Sequence, residues 1–298
     1  MNNFADRLLE AVERKRSHVV LGLDPDFDLM PPDVQALAPD GVSAGTEAVA
    51  ECFRAFLSDL LGALSDVVVA VKPQLAYFEA LGSTGYRLYE EMVAEARSLG
   101  YLVIADAKRG DIGSTAEAYA RAHLDLVGAD AVTVNPWFGT DGLEPFLRRA
   151  RDEGKGLFVL VKTSNPSSAE IQDLVTVSGD LVHERVADLV LRWSDGTYGA
   201  SGYSSVGAVV GGTHPGQAQM LRGLLPGIPL LVPGYGAQGA TAEDIGGVFD
   251  ARGTGAVVNS SRAILYAYRT SGGHWLAAAR AEAELMRAAL WAVGSRGR

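Results

Sequence analysis

Residues 101 to 115 read YLVIADAKRGDIGST. The apolar run YLVI is too short for a helix and has the length of a buried strand. Asp106, Lys108, Arg109 and Asp111 follow within six positions. Side chains two apart on a strand share a face, so Asp106 and Lys108 are expected to project side by side from the strand's end, an anion against a cation. Alone, such a D-x-K reads as a structural ion pair. Its meaning depends on what surrounds it.

Similar runs recur on both sides: HVVLGLD (18–24), VVVAVK (67–72), AVTVN (131–135), GLFVLVK (156–162), VGAVVG (206–211), IPLLVPG (228–234) and GAVVNS (255–260), with YLVIADAK (101–108) third in order. Amphipathic helical patterns separate them at 46–64, 84–99, 115–127, 142–153, 180–194, 215–225 and 241–252, and further helices are expected at about 1–16 and about 273–293. Continuous apolar strands alternating with such helices imply a parallel sheet covered on both faces or closed on itself. Eight units favour an α/β chain folded as a single (β/α)8 barrel over residues 1–298. A doubly wound sheet stays open, because periodicity does not count closure. No repeat, low-complexity tract or linker divides the chain. The longest irregular stretch, TSNPSSAEIQDLVTVSG (163–179), follows the fifth run, where a loop of that length reads as functional rather than as a domain boundary.

Polar groups gather at the C-terminal ends of these runs: Asp24, Lys72, Asp106 with Lys108, Asn135, Lys162 with Ser164, Thr213, Gln238 and Arg262. In a (β/α)8 barrel that rim is where active sites sit. Single members have plainer readings. Asn135 before Pro136 shapes a turn, and Lys162 reads as a solvated rim charge.

After the seventh run comes GYGAQGATAED, in which Gly234, Gly236 and Gly239 let backbone approach a ligand and Thr241 can cap the next helix. After the eighth comes NSSRA, with Arg262 opening the following helix. Loops at these two places frequently hold phosphate through backbone N–H groups, and an arginine adds a bidentate fork. GYGAQG lacks the G-x-G-x-x-G spacing of a dinucleotide site.

Composition narrows the function classes. The 298 residues are 48% hydrophobic and 21% charged, with a formal net charge of −10 that disfavours nucleic acid and anionic membranes as partners. An anionic substrate therefore needs a local positive pocket. Cys52 is the only cysteine, which excludes an intramolecular disulfide and a cysteine-based zinc cluster and suits a cytoplasmic location. The N-terminal MNNFADRLLEAVERKR has no apolar signal core, and no run approaches the roughly 18 apolar residues of a membrane span.

Five motifs in order, LGLDP with Asp24, VKPQ with Lys72, D-x-K-R-x-D-I at 106–112, GAQG with Gln238 and the pair Ser261 and Arg262, resemble the orotidine 5′-monophosphate decarboxylases over about residues 18 to 268. FADRLLEAVERKRSHVVLGLDP and AVKPQLAYFEALGS are most similar to the longer-chain bacterial branch. The resemblance implies a homodimer of (β/α)8 barrels that converts orotidine 5′-monophosphate to uridine 5′-monophosphate and CO2, with no metal or organic cofactor. It implies that Asp24 and Lys72 bind the ribose hydroxyls, that Lys108 lies beside pyrimidine C6, and that Asp111 and Thr115 reach into the partner's site. It further implies that Ser164 meets the pyrimidine edge, that Pro233 packs near the base, and that Gln238, Ser261 and Arg262 hold phosphate. Arg109 is expected to be structural. Ser114 and Glu117 have the S-x-x-E spacing of a capping box, which predicts a helix from about Thr115 with Asp111 in the loop before it.

The implied chemistry accounts for the opening charges. Loss of CO2 from C6 leaves an electron pair in the ring plane, where the π system cannot spread it. A fixed cation in a desolvated pocket stabilises that pair, and Lys108 can also return a proton. Asp106 and a partner's Asp111 would keep its ammonium placed and charged. Two rivals share parts of the pattern. A sugar-acid phosphate decarboxylase working through Mg2+ needs further acidic ligands, and Lys72 stands where one is expected. A non-catalytic phosphate-ligand sensor has no need of Lys108 or Asp111.

Overall fold

The computed structural model describes residues 3–236 and 239–295. All eight apolar runs form strands: β1 Val19–Leu23, β2 Ala70–Pro73, β3 Leu102–Arg109, β4 Ala131–Val134, β5 Gly156–Lys162, β6 Val206–Val210, β7 Leu230–Val232 and β8 Ala256–Ser260. Valine recurs in every one of them, and its branched Cβ suits a buried pleated surface. Each strand pairs in parallel with the next, and β8 returns to β1 through Val19↔Val258, Val20↔Asn259 and Leu21↔Ser260. That last pairing closes the sheet. The fold is a single (β/α)8 barrel, and the doubly wound alternative falls.

Alternation along the strands sends one set of apolar side chains inward, among them Val20, Ala70, Ile104, Phe158, Val209, Leu231 and Val257. Phe4, Leu8, Ala11 and Val12 of the helix Phe4–Lys15 join this inner cluster, and the Phe4 ring meets Phe158 edge-on at 5.9 Å. The helix thus stoppers the N-terminal mouth. Each large apolar side chain so buried contributes about 1.5–3 kcal/mol. Asn3 starts this helix, its Oδ1 accepting the Ala5 N–H at 2.8 Å. Outside the barrel, helices cover the sheet with apolar stripes. Thr46–Leu64 buries Val49, Phe53, Phe56, Leu60 and Leu64 at three- and four-residue intervals. The C-terminal helix runs Trp275–Gly294.

Two local expectations fail. No α-helix fills 241–252. Thr241 donates its N–H and hydroxyl to the Asp244 carboxylate, and a 3-10 turn Gly246–Val248 follows. The glycine pair Gly246 and Gly247 weakens any helix there, while burial of Ile245 and Val248 is met by the turn alone. Nor do Ser114 and Glu117 form a capping box: the helix Gly113–Ala120 starts after Ile112 without a side-chain cap. Glu117 is drawn instead to Arg148 and to the buried Arg149, which binds both Glu117 and Asp125. The 163–179 segment carries a 3-10 turn Pro166–Ser168 and a short helix Ala169–Gln172, and is pinched at its base by a bridge between Val175 and Leu181.

Candidate active site

Because the inner apolar layer and the first helix fill the barrel's lower half, its cavity, about 420 Å3, opens at the C-terminal rim. The inward positions that face the cavity are divided. Lys72, Asp106 and Thr133 on β2, β3 and β4 make one side polar, and Leu160, Val209 and Leu231 on β5, β6 and β7 make the other apolar. At the β1 position stands Gly22, where a Cβ would overlap the Ser261 hydroxyl and crowd Asn259. The glycine lets the β8 end close onto β1.

Asp106 organises the polar side. Its Oδ2 accepts Lys72 Nζ at 2.6 Å and Gln74 Nε2 at 2.9 Å, and its Oδ1 accepts Lys108 Nζ at 2.6 Å and the Thr133 hydroxyl at 2.9 Å. Burial raises the cost of its charge, but the ammoniums of Lys72 and Lys108 outweigh that and hold its carboxyl far below the usual range. Burial likewise opposes the Lys72 charge, yet Asp106 and then Asp24 raise its pKa above the ordinary lysine value. Both lysines line the cavity, but Lys72 is enclosed in its wall whereas the Lys108 side chain is 45% exposed, so Lys108 presents its ammonium most openly to a ligand.

Asp106 and Lys108 meet, though not by the simple alternation expected. The β3–β4 register slips between Ala105 and Arg109, and Lys108 has φ +47°, one of two described non-glycine residues with positive φ. A left-handed backbone at such a residue costs about 1–3 kcal/mol and is kept where its surroundings fix it. Here the Lys108 N–H donates to Thr133 Oγ1 at 2.9 Å and its carbonyl accepts Asn135 Nδ2 at 2.9 Å. Asn135 therefore does more than shape a turn. Arg109 pairs with Glu79 and lies over the Tyr119 ring at 5.3 Å, the structural role expected of it.

The opposite end of the cavity is built from loops. Gly234, Gly236 and Gly239 all have left-handed φ of +71° to +106°, so the turn after β7 requires glycine at each. Pro233 and Gly234 line the cavity with Ser261 and Arg262 from the end of β8. Arg262 is exposed and makes no ion pair among the described residues. Gln238 lies outside the described residues. Asp24 lines the wall nearby with its Oδ1 buried and unpartnered among them, and Ser164 lines the β5 side. Asp111 and Thr115 do not line this cavity. They sit on the loop and first helical turn after β3, where Ile112 is exposed and the exposed Phe138 packs close to Gly110 of the same loop.

Lys162 is not the solvated rim charge expected from sequence. It is fully buried, and its ammonium pairs with Asp173 at 2.7 Å. Gln74 and Thr133, two of the four groups on Asp106, were not picked out from the sequence. Thr133 carried a signal, as the lone polar residue between valines in AVTVN.

Closed barrel, C-terminal cavity and charged floor define a (β/α)8-barrel enzyme. Over residues 18–271 the chain matches the orotidine 5′-phosphate decarboxylase / HUMPS family, and it belongs to that family. It is 43% identical over 277 residues to the orotidine 5′-phosphate decarboxylase of Rhodopirellula baltica, covering 90% of each chain. It is 44% identical over 266 residues to that of Deinococcus radiodurans, covering 89% of each. The solved Leishmania donovani OMP decarboxylase superposes with a TM-score of 0.76 at 29% identity, covering 97% of this chain and 98% of that one.

Proposed function

We infer that this chain decarboxylates orotidine 5′-monophosphate to uridine 5′-monophosphate and CO2, the closing reaction of de novo pyrimidine synthesis. The observation that carries the reading is the Asp106 carboxylate held between two ammoniums, one enclosed and one facing the cavity. In the reaction the C6–carboxylate bond breaks, its electron pair stays on C6 and CO2 departs. Lys108 stabilises that pair through its fixed charge and then gives C6 a proton, which water later restores. Asp106 places and charges Lys108, and beside the substrate's carboxylate it disfavours the ground state relative to a transition state losing that charge. Asp24 and Lys72 take the ribose hydroxyls. Ser164 takes the pyrimidine edge and Pro233 packs on the base. Ser261, Arg262 and Gln238 take the phosphate, whose binding energy is spent on closing and drying the site.

The working unit is a homodimer in which Asp111 and Thr115 complete the neighbour's cavity. The exposed Ile112 and Phe138 at this loop support this, since exposed apolar side chains beside the site are what an interface covers. A cytoplasmic location fits the single buried thiol. The sugar-acid phosphate alternative is disfavoured because Lys72 and Lys108 occupy the oxygens of Asp106 that a divalent cation would need. Loss of orotidine 5′-monophosphate absorbance with purified protein in excess chelator tests the reading. No turnover would sink it.

No helix among the described residues is long and apolar enough to cross a membrane.

A further inference from the structure

A second lysine–aspartate pair, its lysine buried and its aspartate half-buried, lies outside the catalytic cluster. Lys162 ends β5 with its side chain 1% exposed, and its Nζ donates to Asp173 Oδ1 at 2.7 Å. The same oxygen accepts Gln217 Nε2 at 3.2 Å, from the helix Pro215–Leu224 after β6. His183, fully buried at the start of the helix Val182–Trp193, brings Nδ1 to 3.1 Å from that oxygen and 2.7 Å from the Gln172 carbonyl. Both neighbours are acceptors, so Nδ1 carries the hydrogen. Asp173 is thereby held by three elements of the barrel wall.

The residue before Asp173 faces the other way along the same network. Gln172 accepts the Thr163 N–H with its Oε1 and donates its Nε2 to Thr163 Oγ1, both at 2.9 Å. Thr163 then donates to Asn165 Oδ1 at 2.7 Å, and Thr213 donates to the Ser164 carbonyl at 3.0 Å. Thr163, Ser164 and Asn165 all line the cavity. Burying the Lys162 ammonium is an expensive way to add stability, since an apolar side chain of like volume is often as good or better there. What it supplies is direction: moving Asp173 strands an ammonium in the interior, so the loop has one low-energy seat.

We propose that Lys162 and Asp173 are positioning residues that seat Thr163, Ser164 and Asn165 against the substrate's base, and so set recognition of the pyrimidine without touching it. This rests on the decarboxylase reading for the identity of the ligand. The test compares two ligands by calorimetry, uridine 5′-monophosphate, which has the base, and ribose 5-phosphate, which lacks it.

For Lys162→Met with native circular dichroism we expect affinity for uridine 5′-monophosphate to fall about tenfold or more while that for ribose 5-phosphate stays within about twofold, as when a binding group is displaced by an ångström. Asp173→Asn should show the same selective loss, and serves if Lys162→Met does not fold. A double Lys162→Met/Asp173→Leu variant removes both charges, so it should recover thermal stability without recovering base recognition. An unchanged ratio of the two affinities in any folded variant overturns the proposal, because a general loosening weakens both ligands alike. A wild-type protein with no turnover and no preference for the base-bearing ligand overturns the decarboxylase reading itself, and the proposal with it.

Discussion

The two ends of the cavity are built on opposite principles. At the β2–β4 end every oxygen of Asp106 is occupied, and Lys108 is held through both its backbone groups and its ammonium. At the β7–β8 end stand a glycine turn in left-handed backbone and an exposed arginine that makes no ion pair among the described residues. The first end is set before the ligand arrives, and the second is completed by it. Electrostatic stabilisation of a carbanion demands dipoles and charges that need not reorganise, whereas phosphate binding can afford to gather its groups.

The contrast predicts graded losses. Lys108→Ala should cost more than about 100-fold in kcat, since it removes a preorganised charge and the proton donor together, with circular dichroism unchanged. Retention of a tenth of wild-type kcat would refute its role. Arg262→Ala should lower kcat/KM for orotidine 5′-monophosphate by roughly 10- to 100-fold, the worth of a hydrogen bond to a charged group. Turnover of orotidine, which has no phosphate, should barely change. Free phosphite should activate wild-type turnover of orotidine but not that of the variant, and equal activation in both would place the grip elsewhere.

Recovery of activity on mixing variants probes whether the rigid end borrows from a neighbour. Asp111→Ala and Lys72→Ala are each expected to be inactive. If the protein is a dimer in which Asp111 serves the partner's site, mixing them should recover about one quarter of wild-type activity, because about half of such dimers would be hybrids with one intact site each. Verified subunit exchange without recovery would argue against a shared site.

A final test, read on stability rather than turnover, concerns acid. Asp106 has a folded-state pKa below its unfolded one, so its contribution to stability is present above the ordinary carboxylate value of about 3.9 and is lost as pH falls through the folded value. Asp106→Asn should therefore start less stable at neutral pH, with two lysines crowded together. Denaturant titrations should show its deficit shrinking as pH drops below about 4. A deficit constant with pH would mean that the carboxylate's charge is not what holds this end.

The same contrast explains what could be read from the sequence. Strands were legible because each is a continuous valine-rich run, and rim residues because they fall where those runs stop. Closure was favoured by the count of eight units and by the family resemblance rather than by any single residue, since it depends on β8 finding β1 across more than two hundred residues. The Lys108 bulge was hidden because D-x-K looks the same in a regular strand and a slipped one. Lys162 was misread because its partner lies eleven residues on, inside a segment with no periodicity to place it. The helix expected at 241–252 failed where two glycines met a turn already satisfied by Asp244.

The first helix, wedged under the barrel by Phe4 and Leu8, has a consequence for traffic. With that mouth stoppered, the vessel has one door. Substrate and both products share the C-terminal rim, and on the proposed reading uridine 5′-monophosphate still carries the phosphate that Arg262 and the glycine turn would grip. The product is therefore a natural brake on the enzyme, and it should compete with substrate for the doorway rather than poison a complex already formed.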